Sequence, residues 1–144
     1  VSMGFFSHAR SCDPVVVDDT LAYITLRTGT GCGGNLNVLD VVNIKDITKP
    51  KAVISYGMTN PHGLGKDGDL LFICDGSAGL KVYDASDPKK ITNNLIYRYP
   101  DINAYDVIPI DNVLVLIGDD GLYQYDYSDV KNIKLLSTIL ITRD

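Results

Sequence analysis

The side chains of this sequence best suited to binding or acting on a small molecule are Asp13, His62 and Tyr105. They recur at intervals of 49 and 43 residues, each at the head of a short strand-like run. Arg10 and His8 neighbour the first, and Asp106 follows the last. A carboxylate, an imidazole and a phenol at one depth would form a polar ring able to take a ligand or a metal. The plainer reading is that they hydrogen-bond exposed backbone at the mouth of a solvent-filled channel. His62 lies between Pro61 and Gly63, which suits a constrained bend. Catalysis asks for more: a nucleophile held by a base, or two carboxylates with separated pKa values. No G-x-S-x-G elbow is present, and Ser77 within Gly76-Ser77-Ala78-Gly79 reads as a hairpin turn. No residue is assigned as catalytic. Arg10, Asp13, His62, Tyr105 and Asp106 stand as candidate ligand-binding positions.

Pairs of short polar side chains recur as well: Asn43 and Asp46, Asp84 and Asp87, Asp126 and Asp129. Calcium takes about six to eight oxygen ligands, usually from a dense cluster. Two side chains at the end of a strand fall short of that, so these residues are read as turn formers that accept hydrogen bonds from nearby backbone N–H groups. Neither a metal nor a cofactor is expected. Of the three cysteines, Cys74 falls in an apolar run and reads as a buried thiol. Cys12 and Cys32 flank one hairpin's worth of chain and are read as a disulfide, which implies an oxidising compartment. Zinc is the rival; it is disfavoured because neither cysteine belongs to a C-x-x-C pair and only His8 is near. The glycine-rich run at 28–35 lacks the Lys-Ser or Lys-Thr of a phosphate loop and opens no helix.

The elements that must position these residues are short strands. The chain has 144 residues, 45% hydrophobic and 22% charged, enough for one domain with a real core. That balance excludes a disordered chain, and no apolar run approaches the roughly 18 residues of a membrane helix. The net charge of −5, with no basic stripe, gives nucleic-acid binding no electrostatic footing. Residues 1–7 lack the charged region of a secretory signal and suit an excerpt better than a natural N-terminus.

Aligned on Asn43, Asp84 and Asp126, the sequence repeats at 41 and 42 residues. Each unit carries an apolar run before that residue (21–26, 70–74, 113–117) and another after it (52–56, 95–99, 135–140). First strands are placed at 15–17, 62–65 and 105–110, and third strands at 36–42, 80–83 and 122–125. Turn residues at 17–20, 66–69, 111–112, 75–79 and 118–121 fit tight hairpins. Helix content should be near zero. Tyr83, Tyr125 and Tyr127 are expected between the sheets, with their phenol oxygens reaching polar edges. Such a period, built only from short strands, is that of a four-stranded propeller blade. The expected fold is all-β: about three four-stranded blades of a β-propeller, forming the C-terminal part of a larger one. Residues 1–9 are the last strand of a preceding blade, and 10–59, 60–101 and 102–144 are the three blades. The first blade has an insertion of about eight residues within the glycine-rich run.

In the stretch Leu70-Leu71-Phe72-Ile73-Cys74-Asp75-Gly76-Ser77-Ala78-Gly79-Leu80-Lys81-Val82-Tyr83-Asp84-Ala85-Ser86-Asp87-Pro88, an apolar strand, a turn and a polar strand end, the sequence resembles the LVIVD-repeat proteins, a bacterial β-propeller family. Residues 113–129 match with a shortened turn and Val130 in the proline position. The first unit is looser, with Asn43 for Asp and Ile47 for Pro. The resemblance implies an exported or surface-attached bacterial protein, in the periplasm or on the cell surface and often lipid-anchored through an N-terminal cysteine that this chain does not show. It supplies no catalytic motif. The expectation is therefore a non-catalytic binding or scaffold propeller whose partner is a protein, a peptide or a glycan. Its ring would be completed by the remaining blades of the same protein or by a ring-closing homo-oligomer. The alternatives are a hydrolase or lyase using Asp13, His62 and Tyr105, and a purely structural domain.

Overall fold

A computed structural model describes residues 4, 14–29 and 35–141. Cys12, Cys32, Arg10 and Asp13 lie outside them, as does most of the N-terminal stretch read as a strand. Among the described residues the fold is all-β, with twelve strands forming three four-stranded antiparallel sheets. The first sheet is β1 (Val15–Asp18), β2 (Leu21–Leu26), β3 (Val38–Asn43) and β4 (Lys51–Gly57). The second is β5 (Leu64–Asp67), β6 (Leu70–Cys74), β7 (Leu80–Asp84) and β8 (Leu95–Tyr99). The third is β9 (Ala104–Ile110), β10 (Val113–Gly118), β11 (Gly121–Asp126) and β12 (Lys134–Leu140). Each sheet is a meander, its strands adjacent in sequence order.

The repeat is visible in the register. Leu21, Leu70 and Val113 pair with Asn43, Asp84 and Asp126 respectively. The following residues, Ile44, Ala85 and Tyr127, each donate their N–H to the first hairpin of their own sheet, at Thr20, Asp69 and Asn112, always at 2.8 Å. Asn43, Asp84 and Asp126 accept from the N–H two residues on, at 2.9, 2.9 and 2.8 Å. Asp46, Asp87 and Asp129 do the same at 3.0 Å in the turn before the fourth strand. A short acceptor side chain satisfies a backbone donor that the sheet leaves unpaired, which is why these positions stay polar.

Alternation along the second strands builds the core. Leu71 and Ile73 of β6 meet Tyr23, Leu39 and Val41 of the first sheet, whereas Phe72 and Cys74 meet Val107, Leu114 and Leu116 of the third. The central sheet is thus buried on both faces, which explains the unbroken apolar run 70–74. The sheets approach one another along their first strands, β1 beside β5 and β5 beside β9. A Cβ on Gly65 would stand 2.8 Å from the Val107 carbonyl oxygen and 2.4 Å from Pro109 Cδ, so that approach needs a glycine.

Two tyrosines tie neighbouring sheets. The Tyr56 hydroxyl donates to the Pro88 carbonyl (2.8 Å) and accepts from the Ile91 N–H (3.2 Å). Tyr99 does the same with Val130 (2.7 Å) and Ile133 (3.2 Å). Both bridge from a fourth strand to the turn before the next sheet's fourth strand. Of the tyrosines expected between sheets, Tyr83 and Tyr127 are buried, and Tyr127 donates to Asp67 Oδ2 at 2.5 Å; Tyr125 is half-buried.

Two details differ from the sequence reading. The second sheet's first strand starts at Leu64 rather than His62, because Gly63 donates its N–H sideways to the Tyr105 carbonyl of the third sheet. The 75–79 connection does join two paired strands as expected, but it is built as a 3₁₀ turn over Gly76–Ala78, closed by Gly79 at φ +82°.

Candidate functional site

His62 sits in the loop leading into β5, beside the start of β9 in the next sheet. Its N–H donates to the Cys74 carbonyl (2.7 Å), and its own carbonyl accepts the Thr25 hydroxyl (2.5 Å). These two bonds join its backbone to two different strands, β6 and β2. Nε2 lies 3.1 Å from Arg27 Nη1 and 3.4 Å from Asn60 Nδ2. A guanidinium and an amide NH₂ can only donate, so Nε2 accepts and the proton rests on Nδ1. Burial, and then the Arg27 charge, hold the imidazole's pKa below its ordinary value, against opposing pulls from Asp75 and Asp119. The two donors facing Nε2 and the lowered pKa both favour the neutral imidazole.

Tyr105 approaches the His62 ring at 5.1 Å between centroids, tilted by 40°. Its hydroxyl donates to Asp119 Oδ1, while Asn103 Nδ2 donates to Asp119 Oδ2 at 2.9 Å. Asp106, within β9, accepts from the N–H of the next residue, Val107, at 2.9 Å, with Gly63 packed against it. The structure therefore brings His62, Tyr105 and Asp106 to one end of the sheets.

Sequence reasoning missed Arg27, Asn60, Asp119 and above all Asp75. The Asp75 carboxylate is fully buried; it accepts from the Thr59 and Asn60 N–H groups (3.0 and 2.8 Å) and from Lys81 Nζ (2.6 Å). A buried carboxylate persists only with such compensation. It anchors the loop that carries Asn60 and His62. Its only sequence signal was an acidic residue directly after an apolar strand, which reads equally well as a turn.

Beside Tyr105 a cavity of about 390 Å³ opens between the 101–104 loop and the Asp119–Asp120 turn. Among the described residues no group of three or more histidine, cysteine or acidic side chains is placed to hold a metal ion. Cys74 is buried and unbonded, its thiol pKa pushed far up by burial. No model of a known protein family matches the chain, and no curated protein matches it.

Proposed function

We propose that the three sheets are consecutive blades of a β-propeller in an exported or cell-surface bacterial protein, and that the end carrying His62 and Tyr105 binds a protein, peptide or glycan without turning it over. The architecture is supported by repetition. The face of the first sheet bearing Leu21 and Tyr23 is covered by the second, and the equivalent face bearing Leu70 and Phe72 is covered by the third. The same face of the third sheet, with Ile108, Ile110 and Ile117 at 47, 56 and 43% exposure, is open. A further sheet of this repeat, from the same protein or from a ring-closing copy, fits it.

The observation that carries the non-catalytic reading is the state of His62. A general base needs a free lone pair within reach of a substrate proton. Here that lone pair points at Arg27 and Asn60. A hydrolase or lyase working through His62 would first have to break both contacts. Panels of immobilised glycans and peptides, probed with the chain and with His62→Gln, test this. Binding by the chain, weakened in the variant and without product formation, is expected. Turnover that His62→Gln abolishes would overturn it. The exported setting is tested by thiol titration of the denatured, unreduced chain: one reactive thiol fits a Cys12–Cys32 bond, and three remove the argument.

A further inference from the structure

We propose that the cavity beside Tyr105 is a carbohydrate subsite that takes one pyranose ring. The inference rests on the binding reading above and names its ligand class. At about 390 Å³ the cavity falls in the range of roughly 300–1,000 Å³ typical of small-molecule sites. One wall is the pair Tyr123 and Tyr125, with rings inclined by only 24° and centroids 6.5 Å apart. Leu116 and Ala104 give it an apolar base, and Asn103 and Asp120 a polar rim. A sugar ring has this same division, with one C–H-lined face and an edge of hydroxyls.

The polar groups are already held in place. Tyr123 donates its hydroxyl to Asp120 Oδ1 at 2.5 Å, and Asn103 and Tyr105 both donate to Asp119. A carboxylate has about four lone-pair sites, so Asp120, which accepts the Tyr123 hydroxyl, can also accept a sugar hydroxyl. Fixing these carboxylates before the ligand arrives lowers the entropy lost on binding.

The repeat gives an independent reason to see an adapted site. In the second sheet, the positions equivalent to Gly118 and Tyr123 are Asp75 and Lys81, whose ion pair ties the 59–60 loop to β7. The third sheet dispenses with both charged residues, and the cavity lies where that bridge would stand. The third sheet lacks both partners rather than one, so no buried charge is left uncompensated there, and its loop is held instead by Asn103 donating to Asp119. A glycine and an aromatic ring in its place leave room and a stacking surface.

Saturation-transfer NMR on the full chain, with methyl glycosides of glucose, galactose, mannose and N-acetylglucosamine as probes, tests the proposal. A Gly-Lys-Gly peptide serves as the cationic competitor. Saturable binding of at least one glycoside is expected, weakened about tenfold or more by Tyr123→Leu and by Asp120→Asn. The double variant Gly118→Asp/Tyr123→Lys rebuilds the second-sheet ion pair and should remove binding. A Cβ at 118 would lie 3.1 Å from the Asn103 carbonyl, a contact that a slight shift relieves. Thermal melts establish that each variant is folded. The proposal is overturned if no glycoside saturates, if all three variants bind normally, or if Gly-Lys-Gly displaces the sugar. Glycoside binding that responds to His62→Gln but not to Tyr123→Leu would sink the subsite and leave the binding reading standing.

Discussion

Arg27 and His62 come from different sheets, 35 residues apart, and meet at a contact in which only one arrangement of protons works. Removing the guanidinium takes away one of the two influences that lower the imidazole's pKa and leaves burial, the larger. Arg27→Gln should therefore raise the His62 midpoint, as read from ring-proton NMR shifts against pH. An unchanged midpoint would mean that the contact is absent in solution. The sign for stability follows. A histidine whose folded pKa lies below its unfolded one contributes stability that is fully present above the unfolded value, and loses it as pH falls through the folded value. Asp46, Asp84 and Asp126 act in the same direction at lower pH. Hydrogen bonds from Thr48, Ser86 and Ser128 hold their pKa values below the usual carboxylate range. The chain should therefore unfold more readily as pH drops through the carboxylate range, and Asp84→Asn should flatten part of that dependence because the amide oxygen still accepts but no longer titrates there.

At the scale of elements, the two tyrosine bridges add hydrogen bonds to the apolar cores that already join the three meanders. Tyr99→Phe keeps the ring and removes the hydroxyl, stranding the Val130 carbonyl and the Ile133 N–H; a loss of about 1–3 kcal/mol is expected in urea denaturation. Gly65→Ala acts on the same inter-sheet contact from the first strands, forcing a methyl group against Val107 and Pro109, at a cost of about 1–3 kcal/mol. If both changes proved neutral, the sheets would not be packed as described. The strands themselves were legible because alternation and turn chemistry are local: the run 70–74 and the Asp111-Asn112 turn, with φ of +48° and +65°, announce themselves within a few residues. The bridges were not. A tyrosine near a strand end looks the same whether its hydroxyl meets water or a carbonyl 31 residues away. The candidate site was legible only in part for the same reason. His62 and Tyr105 follow from the repeat, but Arg27, Asn60 and Asp75 join them through contacts between loops that no periodicity encodes.

For the whole molecule, the decisive feature is the contrast between the two outer surfaces of the stack. On the first sheet Ala22, Ile24 and Val42 are buried. On the third, Ile108 pairs laterally with Val115 and Ile110 with Val113, giving an apolar surface that continues to Ile139 at 65% exposure. Ile139 also stands where Tyr56 and Tyr99 stand in the other sheets, each opposite the leucine that opens the third-strand motif (Leu39, Leu80, Leu122). The third sheet thus offers packing without a phenol bridge. Surfaces of this kind are rarely left to water. The isolated chain should associate with increasing concentration in sedimentation velocity, and Ile110→Lys should shift it to monomer with little change in its melting temperature, because Ile110 contributes to no internal core. A chain that stays monomeric at high concentration and fails to bind a hydrophobic dye would show the surface to be inert, and the propeller reading would lose its main support.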